Sequence, residues 1–305
     1  MCSRLALLSL VLSLLVISVA ACATAPPEKE SSMISVTPVP PPREDKPGRL
    51  AVNIRPQWME EGYFELRFPE TLNASGQLLF IDHFRSDMIP VVKLDEFPTW
   101  SKDESGAVSY AASLPNNVNF SGKITPGPDY VDMLFTVTNN TDAPLHNNHV
   151  QVCLSMRQAT GFNKQEDVST TYVPIDGKFI PLNTTHPSAE ELGRPPWLQI
   201  ATKGRTIPEK YRMNSKAGWW YIDEQPDYAL ITRVTDDGKH LVAIAFRGAD
   251  QAMTNSRIPC LHSGPPGIPV VGPGESKSIS GRLYLMDADF DKLLERYKKD
   301  ILSEE

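Results

Sequence analysis

The strongest constraint on this chain is a hydrophobic pattern of period two. Val131, Met133, Phe135 and Val137 are apolar, with Asp132, Thr136 and Thr138 between them. Val150, Val152, Leu154 and Met156 alternate in the same way with His149, Gln151, Cys153 and Ser155. Successive side chains of a strand point to opposite faces, so each run predicts a strand with one face on a core and one polar face. Further strands are expected at residues 49–54, 63–68, 77–81, 107–112, 118–124, 218–222 and 276–286. Two hairpins carry explicit turn chemistry. Residues 172–175 meet 178–182 across Asp176-Gly177, and residues 228–234 meet 240–246 across Asp236-Asp237-Gly238. Asp-Gly supplies the positive φ angles that tight hairpin turns require.

Helix signals are few. Ser188-Ala189-Glu190-Glu191 has the form of a capping box opening one short turn. The one sustained helical pattern is terminal, residues 289–302, where Phe290, Leu293, Leu294, Tyr297 and Ile301 share a face opposite Lys292, Glu295 and Lys299. Many short strands separated by turn residues imply an all-β fold: a two-layer antiparallel β-sandwich, with the amphipathic helix docked on it. A composition of 41% hydrophobic and 22% charged residues suits a globular domain, and residues 49–305 are assigned to one.

The chain opens with Arg4, then an apolar run from Leu5 to Ala20 broken only by serines, then Val19-Ala20-Ala21-Cys22. A charged start, a short apolar core and small residues at the cut site mark a secretory signal over residues 1–21. The run is shorter than the roughly 20 residues a bilayer span requires. Val-Ala-Ala-Cys resembles the bacterial lipobox, which implies that Cys22 is lipidated and becomes the first mature residue. Plain secretion with cleavage after Ala23 and a retained anchor are the rival readings. The position after the cysteine is Ala23 rather than Asp, which by resemblance to Gram-negative lipoproteins points to the outer membrane, facing the periplasm. Residues 22–48 then hold seven prolines among Glu, Lys and Ser, and are expected to form a disordered tether that stays out of any sheet. A net charge of −7 without a basic stripe excludes nucleic acid as a partner. The membrane, through the lipid, and a glycan or an envelope protein are the expected partners.

Candidate site residues come from four features. His149, Gln151 and Cys153 share a strand face with Arg157 just beyond, a set that can line a ligand-receiving sheet or simply a wet one. Asn255, Ser256, Arg257 and His262 fill a segment dense in hydrogen-bonding groups, expected to be a functional loop or a self-supporting one. Trp219 and Trp220 take opposite faces of a strand, so one of them can offer an aromatic platform to a sugar. Lys203, Arg205, Lys210, Arg212 and Lys216 make a basic loop suited to anionic ligands. Cys153 and Cys260 are the two cysteines left after the signal and the lipid site. They are expected as a disulfide or as buried free thiols; a metal site with His149 and His262 is the third reading, and no metal or other cofactor is assigned.

The phrase Thr136-Val137-Thr138-Asn139-Asn140-Thr141-Asp142-Ala143-Pro144-Leu145 resembles the strand and turn of extracellular β-sandwiches, among them the galactose-mutarotase-like supersandwiches. The closing stretch around Cys260, with Pro273-Gly274-Glu275 and Gly281-Arg282-Leu283-Tyr284, is similar to secreted proteins of planctomycete-type bacteria. A mutarotase-like reaction implies a carboxylate base and a histidine acid across a sugar ring. Glu224 or Glu275 with His149 or His262 are the pairs available, and Asp223, Glu224 and Asp227 hold the carboxylates for glycoside chemistry. No G-x-S-x-G elbow, phosphate-binding glycine loop or H-E-x-x-H is present. The expectation is therefore a lipid-anchored sandwich that binds carbohydrate or an envelope partner without catalysis, with a carbohydrate-active enzyme (epimerase, lyase or hydrolase) as the alternative.

Overall fold

The computed structural model describes residues 34–40, 49–81, 97–165, 167–182, 197–208, 213–214, 219–255, 257–264 and 267–303. The chain divides into two units, residues 1–31 and 32–305, and every described residue belongs to the second. The signal segment, Cys22, the capping box at Ser188 and the basic residues Lys210, Arg212 and Lys216 lie outside the described residues.

Two sheets carry the fold. The larger has eleven strands, in the order β1 (Ile34–Pro38), β2 (Ala51–Pro56), β3 (Phe64–Ala74), β9 (Asn148–Ser155), β18 (Cys260–Ser263), β17 (Gln251–Asn255), β12 (Trp197–Ala201), β14 (Trp219–Tyr221) and β13 (Met213–Asn214). Beside this path, β4 (Gln77–Ile81) pairs with β3 and β19 (Gly267–Ile268) with β9. The smaller sheet has nine: β11 (Lys178–Pro181), β10 (Thr171–Ile175), β15 (Ile231–Val234), β16 (His240–Phe246), β20 (Ser276–Asp287), β8 (Tyr130–Asn139), β7 (Val118–Pro126), β6 (Val108–Ser113) and β5 (Ser101–Lys102). Pairing is antiparallel except between β12 and β14, which run parallel. The expected all-β sandwich is thus what the chain forms.

The alternation sorts as the pattern requires. Val131, Met133, Phe135 and Val137 of β8 are buried, as are Val150, Val152 and Leu154 of β9, and they meet in one core between the sheets. Phe135 sits at its centre, with the Phe68 ring 5.8 Å and the Phe120 ring 6.0 Å away. The Asp176-Gly177 hairpin forms as expected, with Ile175 opposite Lys178 and both turn residues at positive φ, 50° and 74°.

A third layer covers the outer side of the smaller sheet. Helix α1 (Phe290–Tyr297) continues into one π-helical turn (Lys298–Leu302) and buries Leu293, Tyr297 and Ile301 against Leu241, Ala243, Ala245 and Tyr284. Asp289 caps it, its side chain accepting from the Lys292 amide at 3.0 Å. Strand β16 is therefore covered on both faces, which explains its unbroken run Leu-Val-Ala-Ile-Ala-Phe.

One expectation fails. Ile34–Pro38, placed in the disordered tether, is a strand paired with β2 in register Ile34↔Pro56 to Pro38↔Val52. Ile34 and Val36 point into the core and are 3% and 1% exposed. Proline is tolerated because β1 is an edge strand and Pro38 ends it, so the missing amide deletes no interior ladder bond.

Phe135→Ala is expected to lower unfolding free energy by about 3–5 kcal/mol, read from urea denaturation, because the cavity lies where several rings meet. A loss below about 1 kcal/mol would mean that the two sheets do not close on this residue.

Candidate functional site

Three adjacent strands, β3, β9 and β18, build the most chemically dense region of the described residues. Their register is Leu66↔Leu154↔Leu261 on the core side. The residues between these face away from the core: Arg67 on β3, Gln151 and Cys153 on β9, Cys260 and His262 on β18. A bulge adds a further group. Arg67 pairs with Cys153 and Thr71 with Gln151, so Phe68, Pro69 and Glu70 oppose Val152 alone. Such irregularities re-aim side chains, and here Glu70 is turned onto the outer side of the sheet, against Gln151 and His262.

The groups then connect. Gln151 Nε2 donates to Glu70 Oε2 at 2.6 Å, and Arg67 Nη1 donates to Glu70 Oε1 at 3.4 Å. His262 Nδ1 lies 3.6 Å from Glu70 Oε2, both side chains only 6–7% exposed. On the other side of the imidazole, Nε2 is 3.1 Å from Cys260 Sγ. The Cys153 thiol, the Cys260 thiol and a His262 nitrogen all lie within 4.8 Å of one another. The neighbouring Cys260, burial and the Glu70 charge push the Cys153 thiol well above the usual range, so it is no activated nucleophile. For His262, burial opposes the imidazolium, but its interactions with Cys153 and with the Glu70 carboxylate outweigh it and raise its pKa.

The polar side of the sheet continues past this cluster. His262 pairs with Met253, Met253 with Gln199 and Gln199 with Tyr221, so one row crosses β18, β17, β12 and β14. Gln199 Nε2 and Trp197 Nε1 both donate to Met253 Sδ, and the Tyr221 hydroxyl donates to Gln251 Oε1 at 3.2 Å. Trp197, Gln199 and Tyr221 are half-buried.

Of the residues expected from sequence, Gln151 and His262 meet directly, at 3.5 Å. His149 is exposed, further along β9. Asn255 and Arg257 flank the turn of the β17–β18 hairpin, and Asn255 Oδ1 accepts from the Arg257 and Ile258 amides to close it, as the self-supporting reading expects. Arg157 and Arg257 are exposed, each in a turn next to β9 or β18. The Trp219 and Trp220 backbones pair with Trp197 and Leu198; their side chains lie outside the described residues, as does Ser256. The cysteines are free rather than bridged. Cys260 pairs with Ser155, so Cys153 is its diagonal neighbour.

Of the other carboxylates expected from sequence, Asp227 and Glu275 are engaged elsewhere, and Asp223 and Glu224 are exposed. Lys203 bridges Asp176 at 2.8 Å and Asp227 at 2.5 Å, and Arg205 pairs with Asp250, so the described part of the basic loop is neutralised. Glu275 closes a turn by accepting from the Gly272 amide. Glu70 escaped the sequence reading because strand β3 was taken to end at Phe68. The signal was there: Phe64, Leu66, Phe68 and Leu72 are core residues at even positions, and a carboxylate at position 70 breaks that parity beside a proline.

An open cleft of about 520 Å³ lies between the β2–β3 connection and the β15–β16 turn. Trp58, Glu60, Glu61, Asp236 and His240 are among its walls, and the His240 ring stacks on Trp58 at 4.3 Å. None of the site residues expected from sequence lines it.

No protein-family model matches the chain, and no curated protein matches it. Solved structures do resemble it. Slr1438 from Synechocystis sp. PCC 6803 is 13% identical, over 82% of this chain and 97% of that one, with a TM-score of 0.42. A galactose mutarotase related enzyme from Lactobacillus acidophilus is 11% identical, over 77% and 93%, with a TM-score of 0.42. The α-N-acetylgalactosaminidase NagBb from Bifidobacterium bifidum is 12% identical, over 88% of this chain but 38% of that one, with a TM-score of 0.44.

Glu70→Ala is expected to cost about 3 kcal/mol in urea denaturation, because it leaves buried His262 and Gln151 without their carboxylate partner, while half-buried Arg67 keeps Glu65 at 3.1 Å. A cost under about 1 kcal/mol would show that Glu70 does not tie the cluster together.

Proposed function

We propose that this protein is a lipid-anchored envelope protein that binds carbohydrate on the polar side of its larger sheet and does not convert it. The carrying observation is the row from Gln151 through His262, Met253 and Gln199 to Tyr221, in which Gln151, Gln199 and Tyr221 are the partly exposed members, set beside buried His262 and Met253. A wet sandwich face ordinarily bears scattered, mobile charges. Here amide, imidazole and phenol groups are held in fixed orientation beside the Trp197 indole, which donates to Met253 Sδ. Sugars are bound by that combination: planar amides and hydroxyls for their hydroxyl groups, and flat aromatic area for their C–H faces.

Binding is favoured over conversion by the spacing of the acid–base pair. Ring opening requires a carboxylate and a histidine on opposite sides of a sugar ring. Glu70 and His262 stand 3.6 Å apart, in contact with each other, and no ring fits between them. Attachment to the envelope follows from the Val-Ala-Ala-Cys motif ending at Cys22. Two or more acyl chains there hold a protein on a membrane firmly, at about 0.8 kcal/mol per buried CH₂.

Calorimetric titration with envelope polysaccharides is expected to show binding, weakened at least about tenfold by Gln199→Ala or Tyr221→Ala, equal to about 1.4 kcal/mol. Absence of binding to any of them overturns the carbohydrate reading. For the anchor, a palmitate analogue fed to cells is expected to label the wild-type chain and not Cys22→Ser. Equal labelling of both, or of neither, would exclude lipidation at this cysteine.

A further inference from the structure

The cluster on β9 and β18 holds two thiols that the carbohydrate reading does not use, beside the His262 imidazole. Two thiols and one imidazole nitrogen lie within 4.8 Å of one another, all buried. The thiols are not joined to each other. Their strands set Cys153 and Cys260 on a diagonal. A pair of sulfurs held close, unbridged and joined by a histidine is a ligand set.

We infer that Cys153, Cys260 and His262 bind one thiophilic divalent cation, Zn(II), through Sγ, Sγ and Nε2, with Glu70 orienting the imidazole from its other side. Three observations carry this. The first is distance. Zn–S bonds of about 2.3 Å and Zn–N bonds of about 2.0–2.1 Å put tetrahedral donor atoms about 3.4–3.8 Å apart. The observed Cys260 Sγ to His262 Nε2 separation is 3.1 Å and no pair exceeds 4.8 Å, so small side-chain shifts admit the ion.

The second is the tautomer. The nitrogen facing Cys260 must be unprotonated to ligate, which requires the proton on Nδ1. Glu70 Oε2 lies 3.6 Å from Nδ1, an ion-pair distance, and the Gln151 amide nitrogen that donates to this oxygen at 2.6 Å also lies 3.5 Å from Nδ1, so a proton on Nδ1 requires that amide to turn away from the ring. A carboxylate behind the non-ligating nitrogen is the usual support of a metal-bound histidine. The third is ligand type. Two thiolates and an imidazole suit zinc or copper(I) and not the hard cations, which prefer oxygen. Binding displaces one proton from each thiol, and a third from His262 where it is imidazolium, so at least two protons leave as one Zn(II) enters, and the ion with its two thiolates is neutral. Three protein donors leave a fourth tetrahedral position. His149, considered from sequence as a fourth donor, is exposed and not in the cluster.

The test uses the full chain, purified reduced and stripped with a chelator. Zinc sulfate added to it is expected to bind one ion per chain, to release at least two protons and to raise the thermal midpoint. Cobalt(II) in place of zinc is expected to give the intense near-ultraviolet thiolate-to-cobalt band of a two-sulfur site, which a merely structural thiol pair cannot produce. Cys153→Ser and His262→Gln are expected to abolish stoichiometric binding, and Glu70→Gln to weaken it about 10–100-fold while both thiols remain. Near-ultraviolet circular dichroism checks that each variant is folded. Because wild-type binding is measured directly, misfolding of a variant does not decide the matter. The inference is overturned if the stripped wild-type chain takes up no stoichiometric zinc and shows no cobalt band, or if mass spectrometry finds Cys153 and Cys260 joined in a disulfide. Glycan titration of the stripped and loaded chains separates this result from the carbohydrate reading, since the zinc measurements stand whether or not a sugar binds.

Discussion

Everything in this molecule hangs on the sorting of side chains across the β3–β9–β18 trio. One side of it delivers Leu66, Leu154 and Leu261 into the inter-sheet core, each fully buried. The other side delivers Arg67, Cys153, Cys260 and His262 into a second, polar interior. A one-residue slip of either strand would exchange the two sets, placing charged groups in the core and leucines among thiols. The register is therefore fixed twice over, by apolar burial on one side and by directional hydrogen bonds on the other. That double lock is what allows side chains from three separate stretches of sequence to meet within hydrogen-bonding distance.

The polar side obeys the rule that a buried group persists only with partners. Glu70 accepts from Gln151 and Arg67 and faces His262. His262 in turn reaches Cys260. Among the described residues no buried oxygen or nitrogen of Glu70, Gln151 or His262 is left without a hydrogen bond. Arg233 on β15 makes the contrast. It is 1% exposed, donates from Nη2 to the Lys164 carbonyl, and leaves Nε and Nη1 without a partner. Burial without partners pulls its pKa down. The site cluster is thus the more completely satisfied of the two buried charged regions, and a fully connected polar group rigidifies what it joins.

The core was legible because its strands alternate cleanly. Residues 131–137 and 150–154 announce their faces, and Asp176-Gly177 announces its turn. Strands β17 and β18 were hidden because their polarity is inverted. Thr254 points inward, its hydroxyl bonded to the Cys260 carbonyl, while Met253 points to the polar side and accepts from Gln199. Hydropathy cannot assign faces when a threonine satisfies itself in the core and a methionine serves as an acceptor outside it. Strand β1 was hidden by its prolines, which signal exclusion from a sheet interior but not from its edge. The site was half legible. Gln151, Cys153, Cys260 and His262 stood out by residue type, whereas Arg67 and Glu70 depend on a bulge that appears in sequence only as a carboxylate out of phase.

The same geometry sets what the cluster can do chemically. An acid and base poised for catalysis are separated by their substrate; a histidine and carboxylate in contact instead orient one another. Glu70 and His262 are of the second kind. What Glu70 orients is an imidazole whose far nitrogen faces sulfur. The chain of dependence therefore runs outward from the bulge: it turns Glu70, Glu70 sets His262, and His262 closes on the thiols. The cysteines sit at the end of that chain, diagonal to each other on β9 and β18 and free.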